Sequence, residues 1–189
     1  MIISIEGPDY CGKTTVINKL KEYLIEINQI DKFMFSREPD NKAIRNILLN
    51  QELTDLERIY LFTADRAMLY NHYKQQDKII ISDRSILTTY AYQARNKELL
   101  NIIETISKPI FNKEDHIFIV LLPDKEIIKN RAKQRDEKNV LDEFMLSNID
   151  SIYDAYYSFN NIASKTFYIT SDSQVNEIIE ILKKESIIK

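Results

Sequence analysis

The stretch Gly7-Pro8-Asp9-Tyr10-Cys11-Gly12-Lys13-Thr14 fits the pattern G-x-x-x-x-G-K-[ST]. Ile2, Ile3 and Ile5 in front of it predict a short buried strand, and apolar side chains spaced by three and four after Lys13 predict a helix. In this strand–loop–helix context, successive backbone N–H groups wrap a phosphate and the helix adds the positive end of its dipole. The stretch therefore predicts a loop that binds the phosphates of a nucleoside triphosphate.

Glycine usage supports this interpretation. The chain has two glycines, Gly7 and Gly12, where average usage would give about 13. A chain that avoids glycine elsewhere keeps it where backbone freedom or close approach to a ligand is needed. Lys13 would neutralise β- and γ-phosphate charge, and the Thr14 hydroxyl would ligate Mg²⁺. The predicted ATP-phosphate residues are Gly7, Pro8, Asp9, Tyr10, Cys11, Gly12, Lys13, Thr14 and Thr15.

Length and composition bound the remaining possibilities. With 189 residues, 44% hydrophobic and 29% charged, the chain is long enough for one sizeable core, and we expect a single domain over residues 1–189. A net charge of −3 excludes a bulk electrostatic grip on nucleic acid but leaves room for a local basic pocket. The single cysteine, Cys11, excludes an internal disulfide and is typical of a reducing cytoplasm. The apolar start breaks at Glu6 without a basic leader, and no apolar run approaches a membrane span, so we expect neither a signal peptide nor a membrane partner.

Short apolar runs alternate with helical spacing along the whole chain. This alternation predicts a doubly wound α/β fold, with a five-stranded parallel sheet and helices on both faces. The predicted strands are residues 1–5, 32–36, 78–82, 117–122 and 166–169, and the charged residues 135–139 are predicted as an exposed loop. The predicted helices begin at residues 13, 41, 54, 86, 99, 124, 141 and 175, the seventh of them running unbroken to about 159.

Polar motifs follow the second and third predicted strands, where ligands bind in such sheets. Asp83 after strand three could hold Mg²⁺ through water, and Arg84 could clamp a transferring phosphoryl group. Arg37 after strand two points into the same crevice. The plainer alternatives are a structural Asp83–Arg84 pair and a surface arginine beside Glu38.

Several short stretches, taken in their order along the chain, resemble those of a known protein family. Residues 6–15 (EGPDYCGKTT), 37–39 (REP), 62–66 (FTADR), 83–84 (DR) and 91–93 (AYQ) resemble the thymidylate kinases. The resemblance runs from residue 1 to about residue 160, and it implies a fold of the P-loop NTPase type with the strand order 2-3-1-4-5. It implies transfer of a phosphoryl group from ATP to dTMP with Mg²⁺, and a homodimer with the long helix around Phe62 as a plausible interface.

The resemblance also implies roles for the residues that would hold dTMP. Asp9 would accept a hydrogen bond from the deoxyribose 3′-hydroxyl, and Arg37 and Arg84 would hold the monophosphate, with Arg45 as a further candidate. The residues implied at the base are Phe62, stacked on thymine, Arg66 at a thymine carbonyl, and Gln93 with Thr89 at the N3 edge. Phe62 and Arg66 are four residues apart and so share one helix face, although Phe62 could also be simple core.

A lid over ATP is implied at about residues 132–143. Arg131 and Arg135 match the arginines at its start, and a solvated helix face is the alternative for both. Residues 8–11 contain no basic side chain, so extra positive charge on the transferring phosphoryl group is expected from residues 131–138.

Ser85 is a departure from the family pattern. It stands where the family has a tyrosine that packs near the sugar 2′ position, so we expect Ser85 to face the sugar and UMP to be accepted better than is usual.

The sequence thus predicts direct in-line transfer from ATP to dTMP. The acceptor oxygen already carries charge, so no general base is needed. The predicted catalytic residues are Lys13, Arg37, Asp83, Arg84 and Arg135, and the predicted metal ligands are Thr14 and Asp83. Two alternatives remain open: a deoxynucleoside kinase in which Asp83 takes the proton of a 5′-hydroxyl, and a nucleotide-binding regulator without turnover.

Overall fold

A computed structural model describes residues 1–73, 75–134, 140–171 and 173–189, with the side chains of residues 140–142 left aside. The described residues contain a five-stranded parallel sheet in the order β2-β3-β1-β4-β5, which confirms the predicted fold class and strand order. The strands are β1 (Ile2–Glu6), β2 (Phe33–Arg37), β3 (Ile79–Asp83), β4 (His116–Leu121) and β5 (Lys165–Ile169).

Helices connect the strands. They are α1 (Lys13–Glu26), α2 (Lys42–Asn50), α3 (Asp55–Tyr73), α4 (Ile86–Gln93), α5 (Lys97–Ser107), α6 (Lys125–Lys133), α7 (Val140–Ser147), α8 (Ile149–Ser158) and α9 (Gln174–Lys184). Single turns of 3₁₀ helix precede β2 at Ile30–Lys32 and β4 at Lys113–Asp115.

Burial of the strands follows their place in the sheet. Every residue of β1 and β4, at the centre, is buried, whereas β2 and β5 at the edges are mostly half-buried. Continuous apolar runs form the central strands because helices cover both of their faces. The register pairs Arg37 with Asp83 and Ile5 with Asp83, so the polar ends of β2 and β3 lie side by side next to the end of β1.

One predicted element is wrong. The helix expected over residues 141–159 is two helices, α7 and α8, which break at Asn148 with φ −121° and ψ 21°. The Asn148 side-chain amide donates to Phe144 O at 2.8 Å, and Ser147 Oγ donates to Glu143 O at 2.9 Å. Such local bonds give carbonyl groups near the end of α7 partners outside the helix ladder.

The structure does not test the predictions of an exposed loop, a lid and a single domain. The predicted loop 135–139 lies outside the described residues, and with it part of the lid at about 132–143. A single domain over the whole chain remains a prediction. Among the described residues, no helix combines the length and hydrophobicity needed to cross a membrane.

Candidate active site

The phosphate loop depends on its two glycines. Gly7 has φ +134° and Gly12 has φ +105°, a region of backbone conformation that other residues rarely adopt. A Cβ on Gly7 would lie 2.4 Å from Leu121 O, so the end of β4 leaves no room for a side chain there. The loop passes against β4 and turns into α1 only because both positions lack a side chain.

Lys13 begins α1 and points back over the loop. Its Nζ donates to Gly7 O at 3.0 Å and to Pro8 O at 2.7 Å, and the residue is only 6% exposed. Gly12 precedes the helix, and no side chain caps it in the described part of the chain. The first N–H groups of α1 are therefore available to an anion, next to a buried ammonium group.

Two side chains from later in the sequence brace the loop. Arg131 Nη1 donates to Tyr10 O at 3.1 Å, which places this predicted ATP-side arginine beside the loop. Gln174, at the start of α9, donates from Nε2 to Cys11 O at 3.3 Å. Sequence reasoning did not find Gln174, because a glutamine 163 positions from its partner carries no local signal.

A cleft of about 1100 Å³ opens beside the loop and gathers most of the predicted site. The loop and α1 form one side, and residues from β2, β3, α3 and α4 form the other. Of the predicted residues, those lining it are Asp9, Tyr10, Gly12, Lys13, Thr14, Thr15, Arg37, Arg45, Phe62, Asp83, Arg84, Gln93 and Arg131. Gly7, Pro8, Cys11, Arg66 and Thr89 do not line it, and Arg135 lies outside the described residues.

Thr14 and Asp83 fit a magnesium site. Thr14 Oγ1 lies 3.5 Å from Asp83 Oδ2, and Asp83 Oδ1 is buried without a hydrogen-bond partner among the described residues. A hydroxyl and a carboxylate are the hard oxygen donors that Mg²⁺ prefers. Within the described part of the chain, no group of three or more histidine, cysteine or acidic side chains could hold a metal ion.

Arg84 is held in an unusual conformation at the centre of the cleft. Its backbone is left-handed, with φ +74°, and its guanidinium forms an ion pair with Asp9 and donates to Gly7 O at 3.1 Å. Burial opposes the charge on Asp9, but the Arg84 and Lys13 cations outweigh burial and lower the pKa of Asp9. The predicted sugar-binding and phosphate-binding groups are thus direct neighbours.

A second pair of cations lies at the end of β2. Arg45 is half-buried and donates to Pro39 O at 3.2 Å. Burial and the neighbouring Arg37 guanidinium both lower the pKa of Arg45. Two arginines that repel each other at a cleft wall favour an anion between them.

Asp65 fixes the turn between Arg37 on β2 and Arg45 on α2. The sequence analysis did not identify this role of Asp65. The Asp65 carboxylate, only 1% exposed, accepts from Asp40 N at 3.0 Å and from Asn41 N at 2.8 Å. It thereby ties α3 to the segment between β2 and α2.

The base-side residues divide into two groups. Phe62 and Gln93 line the cleft, and Gln93 Oε1 is buried without a hydrogen-bond partner among the described residues. Arg66 is fully buried and pairs with Glu38, with 2.7 Å between Nη2 and Oε2. Its Nη2 also donates to Thr89 Oγ1 at 3.1 Å, while its Nη1 is buried without a partner in the described part of the chain. The structure therefore brings Phe62 and Gln93 to the cleft surface and leaves Arg66 and Thr89 behind it.

The expectation that Ser85 faces the sugar is wrong. Ser85 is 2% exposed, and its Oγ donates to Glu6 Oε1 at 2.5 Å, so it faces the interior instead of a ligand. Tyr92 lines the cleft instead, and its hydroxyl donates to Asp9 Oδ2 at 3.3 Å. The aromatic side chain beside the predicted sugar site therefore comes from the end of α4.

A phosphate loop, a hydroxyl–carboxylate pair suited to Mg²⁺ and arginines from two neighbouring strand ends converge on one cleft. Together with the sheet order, they define a P-loop phosphotransferase with room for two substrates. Residues 5–184 match the family model described as thymidylate kinase. The chain belongs to the thymidylate kinase family, which confirms the resemblance found in the sequence.

Individual relatives agree over nearly the full length. The chain is 32% identical to a probable thymidylate kinase of Sulfolobus acidocaldarius, covering 95% of this chain and 92% of the relative. It is 33% identical to a probable thymidylate kinase of Methanobrevibacter smithii, covering 97% and 93%. The crystal structure of thymidylate kinase from Ehrlichia chaffeensis superposes with a TM-score of 0.69 at 26% identity, covering 96% of this chain and 98% of that one. The thymidylate kinase of Candida albicans shares the fold, with a TM-score of 0.70 at 22% identity over 98% of this chain and 92% of that one.

Proposed function

We propose that this protein transfers the γ-phosphoryl group of ATP to dTMP and forms dTDP. The observation that carries the choice of base is Gln93, which lines the cleft and whose buried Oε1 has no hydrogen-bond partner among the described residues. Thymine offers an N3–H donor to such an acceptor, whereas cytosine offers only an unprotonated N3.

The proposed mechanism is positioning with electrostatic stabilisation. The loop N–H groups and Lys13 bind the donor phosphates, while Arg37, Arg45 and Arg84 bind the acceptor monophosphate. Because that phosphate oxygen is already charged, no side chain has to remove a proton. Thr14 and Asp83 would hold Mg²⁺, which would supply positive charge to the donor phosphates. Arg131 braces the loop on the ATP side.

The alternative with Asp83 as a general base is less well supported. Asp83 Oδ2 lies 3.5 Å from Thr14 Oγ1, beside the loop that would hold the donor phosphates. This position suits a metal ligand. A deoxynucleoside kinase, whose acceptor carries no phosphate, would not need Arg37 and Arg45 to bind an acceptor phosphate.

A panel of acceptors tests the proposed function. We expect dTDP formation from dTMP with ATP and Mg²⁺, slower turnover of dCMP, and no product from thymidine. Phe62→Ala should weaken the binding of all pyrimidine monophosphates alike, by about 1–3 kcal/mol, because every base has a face that can stack on an aromatic ring. Gln93→Ala should instead reduce the ratio of kcat/KM for dTMP to kcat/KM for dCMP. Efficient phosphorylation of thymidine, or ATP turnover indifferent to every monophosphate, would contradict the proposal.

We propose that Tyr92, and not residue 85, excludes ribonucleotides. Its hydroxyl is 3.3 Å from the Asp9 carboxylate that would accept the 3′-hydroxyl, so its side chain lies where a neighbouring 2′-hydroxyl would project. Tyr92→Ala should raise turnover of UMP relative to dUMP, whereas Ser85→Tyr should not improve discrimination because Ser85 is buried. An unchanged UMP to dUMP ratio in Tyr92→Ala would contradict this assignment.

A homodimer through α3 is also proposed. Leu56, Tyr60 and Met68 are 39%, 54% and 55% exposed and recur on one face of this helix. An apolar stripe along a 19-residue helix is suited to the same stripe on a second copy of the chain. A cytoplasmic location is proposed as well, on the basis of the single cysteine.

A further inference from the structure

Glu6 forms a buried polar centre behind the cleft that the mechanism above does not use. It ends β1 and is fully buried, and each of its carboxylate oxygens accepts a hydroxyl hydrogen bond. Ser85 Oγ donates to Oε1 at 2.5 Å, and Thr88 Oγ1 donates to Oε2 at 2.6 Å. These two bonds tie the first turn of α4 to the end of β1.

Thr88 is the branch point of this network. Because its one proton goes to the Glu6 carboxylate, its oxygen can only accept from its other neighbours. Those neighbours are Arg84 Nη1 at 3.4 Å and the hydroxyl of Tyr156 at 3.2 Å. Thr88 therefore presents a fixed acceptor to the Arg84 guanidinium, on the cleft wall that both residues line.

Arg84 needs such support because its backbone is held in a conformation that arginine rarely adopts, with φ +74°. Its amide donates to Ile5 O at 3.0 Å, and its Nη1 is shared between Gly7 O and Thr88 Oγ1. Residue 84 is thus fixed to the end of β1 and the phosphate loop on one side and to α4 on the other. A strained residue persists only where its surroundings determine it in this way.

We propose that Glu6 and Thr88 are positioning residues that aim the Arg84 guanidinium at the acceptor phosphate. Glu6 touches no substrate and acts through the Thr88 hydroxyl, which supplies the acceptor that orients Nη1. The inference rests on the proposed function for the identity of the acceptor, but the placement of Arg84 can be measured without any substrate.

Thr88→Val tests the hydroxyl, because valine keeps the shape of threonine while removing its acceptor and donor. We expect kcat/KM for dTMP to fall at least tenfold, with KM for ATP changed by less than twofold. Thr88→Ser keeps the hydroxyl and should stay within threefold of the wild type. Thr105→Val is the matched control, since Thr105 makes its hydrogen bond to Asn101 O on the exposed surface of α5.

Glu6→Gln tests the same network from its other end. A neutral amide has one oxygen and one NH₂ group, so it can accept only one of the two hydroxyl hydrogen bonds, and we expect kcat/KM for dTMP to fall. The double variant Glu6→Gln/Thr88→Val should lose much less than the product of the two single effects. Multiplicative losses would show that the residues act separately and would overturn the proposal.

Crystal structures of the wild type, Thr88→Val and Thr88→Ser supply a readout that does not depend on dTMP. The Arg84 guanidinium should move from its wild-type position in Thr88→Val, where Nη1 has lost one of its two acceptors, and keep that position in Thr88→Ser. An Arg84 in its original place in Thr88→Val, or equal kinetic losses in the valine and serine variants, would overturn the inference. If the wild-type protein fails to phosphorylate dTMP, the proposed function fails, whereas the position of Arg84 in these crystals still decides the inference.

Discussion

Lys13 is the single side chain on which turnover should depend most. Its Nζ lies within the loop, 3.0 Å from Gly7 O and 2.7 Å from Pro8 O, where donor phosphates would bind. Lys13→Ala should lower kcat at least 100-fold, since losing such a charge removes about 3 kcal/mol or more of transition-state stabilisation. Steady-state kinetics measures the effect, with Lys108→Ala on the exposed end of α5 as the control. A Lys13→Ala variant with more than half of the wild-type rate would rule out a catalytic role for the loop.

Arg37 should contribute to the binding of the acceptor dTMP but not to the binding of the donor ATP. It is exposed at the end of β2, and within the described part of the chain it donates to no protein acceptor, so its guanidinium is available to a phosphate. Arg37→Ala should raise KM for dTMP about 10- to 100-fold through the loss of charge-assisted hydrogen bonds worth about 1.5–3 kcal/mol. KM for ATP should stay within twofold, and the exposed Lys42→Ala serves as the control. A rise in KM for ATP alone would mean that Arg37 serves the other substrate.

Single residues also show where sequence reasoning stops. The loop residues could be placed from their pattern, because each has a chemical reason to stand at its spacing. Ser85 could not, because its orientation depends on Glu6, which lies 79 positions away. The same holds for Arg66, whose guanidinium is taken up by Glu38 behind the cleft wall.

At the scale of elements, local chemistry predicted helix starts better than helix continuity. Asn41, where the sequence predicts a helix to begin, caps α2 by accepting from Ala43 N and Ile44 N. The preceding residue, Asp40, has its backbone N–H bound by Asp65, a contact between separate elements. The break between α7 and α8 was missed because the apolar spacing continues through it.

The exposed stripe of α3 leads to a prediction about assembly. Tyr60 is 54% exposed between Leu56 and Met68, so it would lie within the proposed interface. Tyr60→Glu places a negative charge there on both copies, and in a two-fold interface each substitution acts twice. Light scattering should show a dimer for the wild type and a monomer for the variant. Tyr157→Glu on α8 is the control, because Tyr157 is similarly exposed at 46% but lies on another helix. A wild-type monomer, or a Tyr60→Glu dimer at equal concentration, would contradict the proposed interface.

For the whole molecule, the topology was accessible because alternating strands and helices leave few arrangements. The ends of β1, β2 and β3 could be placed together from this rule, and the Arg37–Asp83 register confirms it. Contacts between the two ends of the chain, such as Gln174 with Cys11, could not, because they depend on how α9 packs across the fold.

His116 makes the stability of the whole molecule depend on pH. It begins β4 and is 1% exposed; its Nδ1 lies 2.7 Å from Asn112 O and its Nε2 lies 2.7 Å from the Tyr70 hydroxyl. A carbonyl only accepts, so Nδ1 carries the proton and Nε2 accepts from Tyr70. Burial lowers the pKa of His116 to about 4, against an ordinary value of 6.5.

This lowered pKa fixes the direction of the effect. As the pH falls below about 6.5, the unfolded chain binds a proton at residue 116 before the folded chain does, so stability is present above that pH and is lost toward pH 4. Over this window the His116 contribution to the free energy of unfolding should fall by about 3 kcal/mol. Denaturant unfolding of wild type and His116→Gln at pH 7, 6 and 5 measures it, because other titrating groups cancel in the difference between the two proteins. The His116→Gln variant should be less stable than the wild type at pH 7 and approach the wild type as the pH falls. Parallel profiles for His116→Gln and wild type would show that this imidazole is protonated alike in the folded and unfolded chains.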